Sequence, residues 1–127
     1  MSFVFIHRQV VEVLQRLQID AFGGLHGIRD EGALESALAR PVNKAAYGED
    51  DLVVLAAAYL FGLAKNHAFL DGNKRIAIVT AGVFLECNGM KITASDVDLY
   101  NFVMAVAAGE IDEDGAARFL RDFTVPL

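Results

Sequence analysis

Nine consecutive residues, His67-Ala68-Phe69-Leu70-Asp71-Gly72-Asn73-Lys74-Arg75, hold the densest set of reactive side chains in the chain. They lie between two apolar runs, so a tight turn joining two buried helices is expected, with the second helix starting near Asn73. A helix N-terminus offers unpaired N–H groups and a partial positive charge to an anion. Gly72 removes a side chain where a phosphate would approach. Lys74 and Arg75 put two cations in the first turn, the reverse of the dipole preference, and a bound phosphate would resolve that conflict. Asp71 is a hard oxygen ligand suited to Mg²⁺, which takes one or two carboxylates plus phosphate oxygens. His67 is the nearby group able to take a proton at neutral pH. A base, a metal ligand and an anion cradle are the parts that transfer of a phosphate-containing group requires.

Other readings of the same residues exist. Asp71-Gly72-Asn73 also suits an ordinary turn. Lys74 or Arg75 could pair with Glu86 or Asp96. The pocket could also bind a phosphate or a peptide without turnover. Arg29-Asp30 reads as a helix cap with a local ion pair. His7 and His26 match no catalytic spacing and read as surface or loop residues. Three scattered histidines and one cysteine lack the ligand spacing of a zinc site.

The elements around the nine residues follow from periodicity. A first helix is expected from about His7 to Gln18, with Val10, Leu14 and Leu17 at helical spacing and Gly23-Gly24 breaking it. Asp30 can cap a second, short helix with Leu34, Ala37 and Leu38 inward, and Pro41 should stop it. Asp50 or Asp51 can cap a third through Leu52, Leu55, Tyr59, Leu60 and Leu63. It is apolar nearly all round and belongs at the centre. Ile76 to Leu85 is rich in β-branched residues and allows a strand. Its length and the small residues Ala77, Ala81 and Gly82 favour a helix ending at Asn88-Gly89. Thr93 or Ser95 can cap a fifth from about Asp96 to Ala108, and Asp112 a sixth holding Ala116, Phe119, Leu120 and Phe123. Val97, Phe102 and Met104 read as core. The fold class is all-α: one domain over residues 1–127, a compact bundle of about six helices around the third and fourth.

Composition bounds the function. The 127 residues are 54% hydrophobic and 22% charged, enough for a core without disulfide or metal staples. The formal net charge of −6 disfavours binding along a nucleic-acid backbone. Cys87, the single cysteine, excludes an internal disulfide and reads as a buried thiol. Met1 to Arg8 lacks the pattern of a signal peptide. The block from Leu52 to Ala64 is too short to span a bilayer. A cytoplasmic protein without nucleic-acid or membrane partners is expected.

The order His-x-Phe-x-Asp-Gly-Asn-Lys-Arg resembles the signature of the Fic/Doc family. Residues 23–41, with Gly27-Ile28-Arg29-Asp30-Glu31-Gly32-Ala33-Leu34-Glu35-Ser36-Ala37-Leu38-Ala39-Arg40-Pro41, are similar to the N-terminal signature of its death-on-curing branch. Ala107-Ala108-Gly109-Glu110-Ile111-Asp112 is similar to its C-terminal portion. The resemblance implies the Fic/Doc fold, with His67 as general base toward a target hydroxyl and Phe69 pinning the loop. Asp71 would hold the metal, Gly72 and Asn73 would form the anion pocket through backbone and amide N–H, and Arg75 would grip the phosphates. Lys74 matches the death-on-curing branch, whereas the adenylylating branch usually has glycine there. That branch also places a second arginine three residues after the first, where this chain has Ile78. The resemblance therefore implies a toxin kinase using ATP and Mg²⁺, acting on a threonine or serine of an elongation factor Tu-like target to block translation. AMP transfer is the alternative on the same scaffold. Some relatives carry a self-inhibiting Ser/Thr-x-x-x-Glu-Gly/Asn helix. The only glutamate here followed by glycine or asparagine is Glu31, and Gly27 stands four residues before it. Inhibition in trans by a Phd-like antitoxin is thus implied, a disordered tail folding onto the toxin.

Overall fold

A computed structural model describes residues 2–127. Met1, the start of the stretch read for a signal peptide, lies outside them. The expected helices form in order: α1 (Arg8–Phe22), α2 (Glu31–Ala46), α3 (Leu52–Asn66), α4 (Asn73–Cys87), α5 (Asp96–Ala107) and α6 (Glu113–Asp122). Two short strands accompany them, β1 (Met90–Ile92) and β2 (Thr124–Pro126). They pair antiparallel, with Lys91 opposite Val125, and tie the chain end to the turn after α4.

The caps act as their residue types dictate. Asp30 accepts from the N–H of Ala33, Asp51 from Val53, Ser95 from Asp98 and Asp112 from Gly115. Each satisfies one N–H orphaned at a helix start. Asp51 rather than Asp50, and Ser95 rather than Thr93, is the cap.

Helix α3 is the core. Leu55, Ala56, Ala57, Tyr59, Leu60 and Leu63 are all buried, and α2, α4, α5 and α6 pack around it. The α2–α3 approach is close: a Cβ on Gly62 would stand 3.2 Å from the Cα of Ala37. Ile76, Ala77, Ala81, Phe84 and Leu85 bury the matching face of α4, which is helical throughout.

Four expectations need correction. Pro41 does not end α2; it is buried inside a helix that runs on to Ala46. An interior proline forfeits one backbone bond and strains the preceding turn, at a cost of about 3 kcal/mol. Arg40 and Lys44 flank it and both pair with Glu113 on α6. The inward face of α1 is Val11, Gln15 and Ile19, while Val10 and Leu17 are exposed. Phe102 is core, but Val97 and Met104 face outward. Cys87 is exposed, because α4 ends there at the surface. Among the described residues, no helix is long and apolar enough to cross a membrane.

Candidate active site

Helices α3 and α4 are joined by residues 67–72, so the core hairpin itself sets the position of the motif. His67 is the C-cap of α3, in the left-handed conformation with φ 50° and ψ 47°. It is the one non-glycine residue with positive φ among those described. Histidine tolerates that region better than most residues, yet such a conformation costs of order 1–3 kcal/mol and needs surrounding structure to hold it.

Much of that support comes from residues 24–30, the connection between α1 and α2. Ile28 and Phe69 form an antiparallel bridge. The N–H groups of Arg29 and Asp30 both donate to Ala68 O, at 2.8 and 3.1 Å, and Leu70 N–H donates to Gly27 O at 3.0 Å. Arg29 Nε donates to His67 O at 2.9 Å. Leu25 N–H donates to Asp71 Oδ2 at 2.7 Å. The buried Gln15 amide donates to both Leu25 O and Asp71 O, at 3.3 and 3.2 Å. Gly24 is required at its place, since a Cβ there would sit 3.0 Å from the Cβ of Asp71, and its φ is 114°.

Phe69 is buried and anchors the loop to the core. Asn73 clamps the same turn: its Oδ1 accepts from Phe69 N–H and its Nδ2 donates to Phe69 O, both at 3.0 Å. The amide N–H expected in the anion pocket is therefore engaged in holding the loop, which leaves Asn73 its backbone N–H for an anion.

Gly72, in the left-handed region, is the N-cap of α4, and no side chain caps this helix. The first turn of α4 is thus open where four other helices are closed. His67, Asp71, Gly72, Asn73, Lys74 and Arg75 all line one cleft of about 250 Å³, together with Ala64, Leu70 and Tyr100. The six residues singled out in the sequence share one concave surface.

Neither Lys74 nor Arg75 pairs with Glu86 or Asp96, and among the described residues neither cation has a carboxylate within ion-pair distance. Arg75 instead lies over the ring of Phe22, 4.3 Å from its centroid. Arg8, also at a helix start, meets Glu12, Glu31 and Glu35. Positive charge at the head of α4 is left facing the cleft. Among the described residues no three His, Cys, Asp or Glu side chains could hold a metal together. Asp71 accepts from Leu25 at Oδ2, so Oδ1 is the one carboxylate oxygen it could offer to a cation, whose other ligands would have to come from phosphate and water. That donor set suits Mg²⁺.

An adjoining cleft of about 540 Å³ shares Arg75 and Tyr100 and is walled by Phe22, Ile78, Val97 and Leu99. A larger hollow along the C-terminal half of α2 includes none of the motif residues, and its Arg40 and Lys44 are already paired with Glu113.

Sequence reasoning passed over three contributors. Arg29 forms no ion pair with Asp30 but reaches the His67 carbonyl. Phe22 stacks on Arg75. Gln15 left a legible signal: it is the polar member of a buried i, i+4, i+8 series with Val11 and Ile19. His7 and His26 are exposed as expected, His26 pairing with Asp20 at 2.7 Å.

A family model described as the Fic/DOC family matches residues 5–85. Over 108 residues the chain is 44% identical to Toxin Doc of Mycolicibacterium smegmatis, covering 81% of this chain and 82% of that protein. Over 109 residues it is 37% identical to Protein kinase doc of Escherichia phage P1, covering 85% of this chain and 86% of that protein.

Proposed function

The chain belongs to the Fic/DOC family, and from that premise we propose that it is a death-on-curing toxin kinase. It moves a phosphate group from ATP to a threonine or serine hydroxyl of an elongation factor Tu-like protein and thereby blocks translation. The observation that carries this reading is the shared cleft. An imidazole, a carboxylate and two cations, neither in an ion pair among the described residues, line one cleft at the N-terminus of α4. The names of the two relatives, a toxin and a protein kinase, support it.

In this reading His67 accepts the proton of the target hydroxyl. The hydroxyl oxygen bonds to the γ-phosphorus as the bond to the β–γ bridging oxygen breaks, and ADP leaves. Lys74, Arg75 and the backbone N–H groups of Asn73, Lys74 and Arg75 hold the phosphate oxygens in place and stabilise their charge. Asp71 would hold Mg²⁺, which would neutralise phosphate charge. Ile78, where adenylylating relatives carry an arginine, faces the apolar cleft and offers phosphate no charge, which favours phosphate over AMP transfer. The partner is a Phd-like antitoxin that inhibits in trans by folding onto the toxin, and the setting is the cytoplasm.

Intact mass after incubation with elongation factor Tu, ATP and Mg²⁺ tests the reaction. A gain of about 80 Da marks phosphate and about 329 Da marks AMP. The 80 Da product is expected, and it should vanish with His67→Ala. A target that gains no mass with wild-type protein, or modification persisting in His67→Ala, removes this mechanism.

A further inference from the structure

Among the described residues, the left-handed turn at His67 has one side-chain bond to its carbonyl, and that bond comes from Arg29. The guanidinium Nε donates to His67 O at 2.9 Å. The base of the Arg29 side chain is itself fixed, because Arg29 and Asp30 both donate their N–H groups to Ala68 O. The arginine is therefore tethered to the residue next to the one whose carbonyl it holds. Its charge also sits at the C-terminal end of α3, where the helix dipole is negative and a cation is favoured. Arg29 is absent from the lining of the cleft that contains His67. Its influence on the cleft runs through the His67 peptide.

We propose that Arg29 is the positioning residue for His67, its guanidinium fixing the left-handed peptide that turns the imidazole onto the α4 N-terminus. The inference rests on the reading of His67 as the base in the proposed reaction.

Three proteins test it: wild type, Arg29→Ala and Arg29→Lys. Two measurements are made on each, steady-state transfer kinetics and the His67 HN–Hα coupling and ¹³Cα shift by NMR. Arg29→Ala should lower kcat about 10- to 100-fold, the scale of a misplaced reacting group. Its nucleotide KM should stay within about twofold, because the phosphate contacts are untouched. The His67 signals should move away from left-handed values. Arg29→Lys keeps a cationic donor on the same tether and should recover much of the loss in both measurements. An Arg29→Ala protein with wild-type kcat, or with unchanged His67 signals, overturns the proposal. So does a KM that rises as far as kcat falls. A wild-type protein that transfers nothing sinks the function proposed above. The NMR comparison then decides this inference alone, since it needs no turnover.

Discussion

The side-chain amide of Asn73 makes both of its hydrogen bonds to a single residue, accepting from the backbone N–H of Phe69 and donating to its carbonyl. Phe69 is buried and Asn73 is half-buried, so both bonds lie largely away from solvent. Asn73→Ala should lower stability by about 1–3 kcal/mol, the cost of stranding buried backbone groups. Asn73→Asp keeps the acceptor and loses the donor, so it should fall between. Urea unfolding of the three proteins measures this, and an Asn73→Ala midpoint equal to wild type would contradict the clamp.

In the proposed reaction the head of α4 sets function against stability. Lys74 lies at a positive dipole end, and among the described residues no carboxylate is within ion-pair distance of it, so its charge is unfavourable there. Lys74→Glu should raise the stability of the nucleotide-free protein by about 0.3–1 kcal/mol. The same change should weaken nucleotide binding at least about tenfold, or 1.4 kcal/mol. Thermal unfolding and titration calorimetry read the two effects. A protein that loses stability and keeps its affinity would show that Lys74 has no part in the cradle.

Acid should loosen α3 at its capped end. Burial pushes the Asp51 carboxyl up, but the Arg121 guanidinium and the N–H groups of Val53 and Val54 outweigh it and hold it below the ordinary value of 3.8. A depressed folded pKa means that the unfolded chain takes up the proton first. The stabilisation is complete above the unfolded value and disappears as pH falls through the lower folded one. Asp51 is about a third exposed, so screening limits the effect to about 1 kcal/mol. Urea unfolding of wild type and Asp51→Asn from about pH 2 to 7 should show a constant gap above about pH 5 that narrows below it. A gap that persists at the lowest pH would dissociate Asp51 from the effect.

Much of this molecule was legible before any coordinates. The motif is contiguous, so its six candidate residues could be read from spacing, and helix caps announce themselves by residue type. The failures have a common physical origin in contacts distant in sequence. Pro41 stays inside a helix whose flanking Arg40 and Lys44 pair with Glu113 of α6, a contact distant in sequence. The inward face of α1 depends on what α4 and residues 24–30 present to it, which the spacing of Val10, Leu14 and Leu17 does not reveal. Arg29 looked local beside Asp30, yet its side chain partners a carbonyl 38 positions away. The strands β1 and β2 pair residues more than 30 positions apart and are too short for an alternating pattern to show.

Residues 24–30 grip the motif chiefly through peptide groups, and a peptide group is indifferent to the identity of its side chain. Leu25 and His26 point outward from this brace, Leu25 with 63% of its surface accessible. Their side chains can be exchanged while the register that seats the imidazole persists. The stretch thus separates two tasks along one short segment: its backbone holds the turn between α3 and α4 in register, and its outward side chains take no part in that hold.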